Sequence, residues 1–200
     1  MQDAQRPCID PSPVGIDVGL KSPAVASDGT TLELPKRTLK KLKRKLKHAQ
    51  RALARSKKAS KRREKKLRRK QKLELRLSNI RQDVTHKFTT TICKNHAVVV
   101  IEDLDIEGMK EKATYRSFRR AFNESIMEAV HYQLGYKAVQ LIKAPRYYPS
   151  TKLCSACGSI KDATPPSVRV YECEHCGAVL DRDMNAARNL MKLGMVSPEA

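Results

Sequence analysis

Residues 12–35 read SPVGIDVGLKSPAVASDGTTLELP, and their pattern decides the fold class. Val14, Ile16 and Val18 alternate with Gly15, Asp17 and Gly19, the period-two spacing of a β-strand with one apolar face. The second face carries a carboxylate between two glycines, which leave room for a backbone or a ligand to approach. The SDG triplet at 27–29 is a hairpin signal, so SPAVAS and TTLELP are expected as two further strands, with Asp28 as a turn residue. A second run, HAVVVIEDLD at 96–105, is continuously apolar until Glu102, Asp103 and Asp105. It suits a strand buried on both faces of a parallel sheet, and ligands collect beyond the carboxyl ends of such strands. Laid parallel to the first strand, it brings Asp17 and Glu102 side by side.

Between these strands lies the charge. The 200-residue chain has a formal net charge of +20. Residues 36–72 hold twenty-one Lys or Arg against one acid, Glu64, while the rest of the chain holds twenty bases and twenty acids; the excess is a single feature. Within it Leu39, Leu42, Leu46, Ala49 and Leu53 recur at three- and four-residue steps, one apolar helical seam. SKKAS at 56–60 interrupts the seam. A second helix is expected over about 61–94, with Leu73, Leu77, Ile80, Val84, Phe88 and Ile92 on one side, completing a helical hairpin. A solvated helix usually mixes charge signs at i,i+4, so the near absence of Glu points to phosphate contact. The residues expected to make it are Lys40, Lys41, Lys43, Arg44, Lys47, Arg51, Arg55, Lys57, Lys58, Lys61, Arg62, Arg63, Lys65 and Lys66. Aromatic residues are 4% of the chain, which argues against base stacking as the main mode. No run reaches the roughly 18 apolar residues of a membrane span, and residues 1–10 lack the basic flank and apolar run of a signal peptide.

CSACG at 154–158 and CEHCG at 173–177 place four of the six cysteines in C-x2-C pairs, the spacing of a structural four-thiolate zinc site. That usage fits a reducing compartment, and with a nucleic-acid partner the expected location is cytoplasmic, nucleoid-associated when DNA is bound. Cys93 lies in an apolar helix stripe and is expected as a small core residue; Cys8 is left over. ATPPSVRV at 163–170 reads as a ribbon loop leading into a strand. DRDMNAARNL at 181–190 follows the second pair at once, with Asp181 and Asp183 opening a short amphipathic helix. Capping explains one of those acids. Asp17, Glu102 and Asp183 together form a set of hard oxygen ligands for Mg²⁺ or Mn²⁺, and two such ions can activate a water and stabilise the leaving oxygen of a phosphodiester. Residues 117–138 are expected as one helix with Phe118, Phe122, Ile126, Ala129 or Val130, and Leu134 in the core and His131 structural, followed by VQLIKAP as a fifth strand.

Six ordered motifs carry a resemblance: GIDVGLKS, LKKLKRKLKHAQRALARSKKASKRREKK, VVVIEDLDIEGM, YYPSTKLCSACG, YECEHCG and DRDMNAARNL. Over nearly all of residues 14–194 the chain resembles the C-terminal half of TnpB-type proteins, the OrfB-like products of insertion sequences related to type V CRISPR effectors. The resemblance implies an α/β fold of the RuvC-like, RNase H type, a mixed sheet with a basic helical hairpin insertion and an inserted zinc ribbon. It implies a leader over 1–13, a nuclease core over 14–150 including the hairpin 36–95, a ribbon over 151–180, a C-terminal core helix over 181–194 and a tail over 195–200. Position by position, the nuclease acids would be Asp17, Glu102 and Asp183, with Asp181 supporting the metal and Arg182 approaching the phosphate. The zinc ligands would be Cys154, Cys157, Cys173 and Cys176, with His175 pointing away. One structural Zn²⁺ and two catalytic Mg²⁺ or Mn²⁺ are implied, with DNA as partner and, in the full-length family, a guide-type RNA. Two departures stand out. The family carries an N-terminal lobe that holds guide RNA, whereas here about a dozen residues precede the first catalytic strand; a separately encoded lobe is one partner that could supply it. Tryptophan, frequent in the family around the ribbon, is absent, and Tyr147, Tyr148 and Tyr171 are expected to keep its packing. The function implied is that of a transposon-encoded DNA endonuclease, RNA-guided in the full-length family; the alternative is a truncated DNA- or RNA-binding remnant that cleaves nothing.

Overall fold

The computed structural model describes residues 12–20, 22–162, 165 and 167–196, so Cys8 and residues 1–11 of the expected leader lie outside it. The chain divides into two compact units, one of residues 33–85 and one formed by the chain on either side of that segment.

The larger unit is built on a five-stranded mixed sheet of β1 (Val14–Asp17), β2 (Ala24–Ala26), β3 (Thr31–Leu32), β4 (Val98–Glu102) and β5 (Gln140–Ala144), in the order β3-β2-β1-β4-β5. The first three strands form an antiparallel meander, while β4 runs parallel to both β1 and β5. This is the RNase H-type arrangement that the resemblance implies. Because β4 is hydrogen-bonded on both sides and covered on both faces, Val99, Val100 and Ile101 are fully buried, which is why the run is apolar without alternation. The meander turns at Gly29, whose φ of 91° favours glycine, and the Asp28 carboxylate accepts from the Thr30 N–H at 2.7 Å.

Helix α6 (Arg182–Val196) packs across β1 and β4. The space left by Gly15 receives the helix backbone rather than a ligand. A Cβ placed there would lie 2.0 Å from the Ala187 carbonyl oxygen and 2.4 Å from the Met191 nitrogen. Val100, Ala144 and Leu190 form the core beneath the helix, with Val98, Ile142, Tyr148 and Leu193 packed around them.

Three shorter helices follow β4: α3 (Ile106–Glu111), α4 (Arg116–Glu124) and α5 (Met127–Lys137). The single helix expected over 117–138 is therefore two. Ser125 adopts φ −72° and ψ 163°, an extended conformation that no helix continues through. The break re-aims the apolar stripe. Ile126 and Met127 enter the core, whereas Phe118, expected there, is 51% exposed and meets buried Phe122 edge-on at 5.2 Å. The C-terminal part of α2 (Lys61–Asn95), beyond residue 85, is tied to α5 by Thr89, whose hydroxyl donates to Gln133 Oε1 at 2.9 Å. Lys137 Nζ donates to the Thr89 and Thr90 hydroxyls at 2.8 and 2.9 Å. Cys93 in this stretch is half-buried, its thiol pushed up by burial.

A small two-stranded ribbon, β6 (Val170–Glu172) antiparallel to β7 (Val179–Asp181), leads directly into α6. Tyr171 fills its centre against Cys154 and Cys173, and Tyr148 is half-buried, but Tyr147 is 91% exposed and takes no part in the packing expected of it.

The smaller unit is a helical hairpin of α1 (Lys36–Ala54) and the first part of α2. Leu39, Leu42 and Leu77 are its core, flanked by Leu34, Leu46, Leu73 and Ile80, so the leucine seam faces a leucine seam and the lysines are left outside. No described helix is long and apolar enough to cross a membrane.

Candidate active site and metal centre

Asp17 is the last residue of β1 and Glu102 the last of β4, each one step past the paired residues Ile16 and Ile101 of the parallel register. Asp183 lies in the first turn of α6, on the helix that covers those strands, and is 9% exposed. Glu102 and Asp183 are close enough to act on the Asp17 carboxyl. Burial first, then Glu102 and Asp183, raise the Asp17 carboxyl to about 8, against the opposing pull of Arg182 and Arg169. Asp17 keeps some exposed surface, yet its carboxyl is held toward the neutral form. Enclosed beside two other carboxylates, the Asp17 carboxyl lies in a negative field that Arg182 and Arg169 offset only in part.

Around the acids are groups that no sequence signal identified. Arg169, just before β6, points Nη1 at both oxygens of Asp183, at 2.9 and 3.0 Å. The Ser150 hydroxyl donates to Glu102 Oε1, and Ser150 is buried. Arg182 is engaged elsewhere: its Nη1 donates to the carbonyls of Pro165 and Val168 at 3.1 and 3.3 Å, which holds the ribbon loop. Asp181 is the helix cap, its Oδ1 accepting from the Met184 N–H at 2.9 Å, so capping accounts for this acid. At His131, burial and then Lys143 lower the pKa against the pull of Asp103, which keeps the imidazole neutral.

The four cysteines converge. One sulfur each from Cys154, Cys157, Cys173 and Cys176 lies within 4.8 Å of the others, with Cys154 and Cys176 at 3.8 Å and Cys157 and Cys173 at 3.6 Å. A tetrahedral zinc with Zn–S bonds of about 2.3 Å requires sulfurs about 3.8 Å apart, so the set fits that ion. Gly158 and Gly177, each one residue past a pair, have φ of 78° and 71° and turn the two knuckles. Ser159 sits 3.1 Å from both Cys157 and Cys173; its hydroxyl, followed by the Cys176 N–H, pulls the Cys173 thiol down to about 5. His175 is exposed and outside the group.

In the hairpin unit two of the residues expected at phosphate are spent inside the fold. Arg63 Nη1 donates to the carbonyls of Leu53 and Ser56, and Lys66 Nζ to the Ala52 carbonyl and the Ser56 hydroxyl. Both close the C-terminal end of α1, where a helix leaves carbonyls unpaired and favours cations. Lys43 is half-buried, and the other expected residues of the hairpin, from Lys40 to Lys65, are on the exposed surface.

Comparison with known proteins adds the family. Residues 1–113 match the family model described as "Probable transposase", of the OrfB IS605 type, and residues 124–190 match "Cas12f1-like, TNB domain". The chain is 36% identical, over 92% of its length, to a protein of Escherichia coli (strain K12), and 33% identical, over 92%, to one of Streptomyces pristinaespiralis. The first carries the name "Putative RNA-guided DNA endonuclease InsQ" and the second "Putative RNA-guided DNA endonuclease". The alignments span 49% and 46% of these relatives, so the chain spans about half the length of the curated relatives it matches. In fold it is similar to the protein of a Cas12f1–sgRNA–target DNA complex, with a TM-score of 0.56 and 23% identity over 92% of this chain and 39% of the other.

Proposed function

The chain belongs to the OrfB family of probable transposases, and on that premise we propose that it is a divalent-metal-dependent DNA endonuclease domain. The observation that carries this reading is the placement of Asp17 and Glu102 at the carboxyl ends of adjacent parallel strands, with Asp183 in the first turn of the helix that covers them; the raised Asp17 carboxyl accords with it. Arg169 pairs with Asp183, but one guanidinium does not balance three acids gathered at the carboxyl ends of adjacent parallel strands and the N-terminus of one helix. Asp17, Glu102 and Asp183 would hold Mg²⁺ or Mn²⁺, and two such ions supply an activated water and charge stabilisation at the leaving oxygen of a phosphodiester. Arg169 balances the charge of Asp183, and Arg182 lowers the cost of ionising Asp17 while fixing the ribbon loop. Cys154, Cys157, Cys173 and Cys176 would hold one structural zinc, which closes the ribbon that delivers α6.

The hairpin's unbalanced cations supply the phosphate-binding surface, with DNA and a guide-type RNA as the partners that the relatives' names suggest. The division of labour follows the motifs: nuclease core over 14–150, ribbon over 151–180 and the core helix over 181–194, acting in the cytoplasm on nucleoid DNA.

The test is Mg²⁺- or Mn²⁺-dependent cleavage of end-labelled single- and double-stranded DNA, with co-purifying RNA retained. Cleavage should fall about a hundredfold or more in Asp17→Ala. Equal cleavage by both proteins would overturn the assignment. Tight, salt-sensitive binding without cleavage by either would favour the second reading, a nucleic-acid-binding remnant.

A further inference from the structure

Two of the three acids are short side chains on well-fixed stretches of backbone. Asp17 ends a strand whose Gly15 is packed against the α6 backbone, and Asp183 sits in the first turn of α6 with Arg169 on its carboxylate. Glu102 differs. It has one more rotatable bond than an aspartate, so its strand position alone does not fix where its oxygens lie, and an unrestrained glutamate loses that freedom when it ligates a metal.

We propose that Ser150 is the positioning residue that fixes Glu102, and that the stretch 150–155 carrying it is referenced to α6 by Asn189 and Asn185. This inference rests on the acid cluster being a divalent-cation site. The Ser150 hydroxyl donates to Glu102 Oε1, while the Ser150 carbonyl accepts from Asn189 Nδ2 at 2.8 Å. Asn189 Nδ2 also donates to the Leu153 carbonyl at 2.6 Å, and Asn185 Nδ2 to the same carbonyl at 2.7 Å. Asn185 Oδ1 accepts from the Ser155 N–H at 2.8 Å, which joins the first zinc knuckle to the same helix. Ser150 is 2% exposed, and Asn185 and Asn189 are fully buried. The asparagines stand four residues apart on α6, and Asp183 precedes the first by two positions.

One rigid helix therefore carries Asp183 directly and sets the position of Glu102 through the segment leading into the ribbon. The spacing of those two carboxylates depends on buried hydrogen bonds between α6 and residues 150–155. The arrangement gives the zinc ribbon a second task, because its first knuckle and the serine that orients Glu102 share one short stretch of chain.

The experiment measures Mn²⁺ affinity by titration calorimetry on the whole 200-residue protein, with zinc content and melting temperature recorded alongside. The variants are Ser150→Ala, Ser150→Thr and the control Asp17→Ala. Ser150→Ala should weaken Mn²⁺ about tenfold, the low end for a residue that orients a ligand, with zinc content and melting temperature unchanged. Ser150→Thr, which keeps the hydroxyl, should bind within about threefold of the parent. Parental affinity in Ser150→Ala while Asp17→Ala loses binding would overturn the proposal and leave the acid site standing. Loss of zinc or of the folded state in Ser150→Ala would also overturn it, since the hydroxyl would then be holding the fold rather than a ligand. So would a folded Ser150→Thr that binds no better than Ser150→Ala. No Mn²⁺ binding by the parent, or equal binding by Asp17→Ala, would instead remove the acid-site reading on which the proposal rests.

Discussion

Asp17 shows how much one side chain's surroundings decide. Its pKa of about 8 in the fold stands above the roughly 3.9 of an unfolded aspartate. The sign follows from linkage: the stability that this group contributes is fully present below about pH 4 and is lost as pH rises through about 8, because the unfolded state gives up its proton first. Urea unfolding without added magnesium or manganese should therefore show stability falling across that window, and Asp17→Asn should flatten the slope. An identical slope in both proteins would mean that the carboxyl is not held neutral. The strand period already marked Asp17 as facing away from Val14 and Ile16. That the facing surface is another carboxylate and a helix N-terminus could not be read from residues 14–19.

At the scale of the element, α6 depends on what lies under it and what precedes it. Gly15→Ala would place a methyl 2.0 Å from the Ala187 carbonyl oxygen, with backbone on both sides that cannot give way. It should cost ~3 kcal/mol in chemical denaturation, and with it the placement of Asp183. On the proposed zinc assignment, Cys173→Ser should abolish zinc binding, lower the melting temperature by ~5 °C or more and raise hydrogen exchange in the first turns of α6, since a structural zinc contributes folding free energy. Retained zinc would refute the four-thiolate set. In the hairpin, Arg63 and Lys66 behave as caps of α1, so Arg63→Gln or Lys66→Gln should each lower the hairpin's stability by ~1 kcal/mol.

Across the whole molecule, charge and chemistry lie in different stretches of chain. Residues 36–72 hold the entire basic excess, and the acid cluster and cysteines belong to the other unit. Replacing Lys61, Arg62 and Lys65 by Glu should weaken DNA binding and reduce the slope of log affinity against log salt by about 0.9 for each phosphate that is no longer neutralised. Zinc content should be unaffected. An unchanged slope would mean that this face of the hairpin is only solvated. These three are better probes than Arg63 or Lys66, whose removal would confuse weaker binding with a weaker fold.

What the sequence determined by itself are the features that repeat or cluster locally: the alternation in β1, the unbroken apolar run of β4, the leucine seam of α1, the paired cysteines and the acid after each motif. Neighbouring residues encode such signals, because secondary-structure period and ligand spacing are short-range properties. Tertiary structure alone decided the rest. Ser150 lies 48 residues from Glu102, and Arg169 lies 14 from Asp183 across a strand reversal, so neither pairing leaves a local trace. The break at Ser125 and the exposure of Phe118 and Tyr147 were hidden for the same reason. A helical or aromatic pattern says which side chains can face a core, but where the core ends depends on the other elements packed against it.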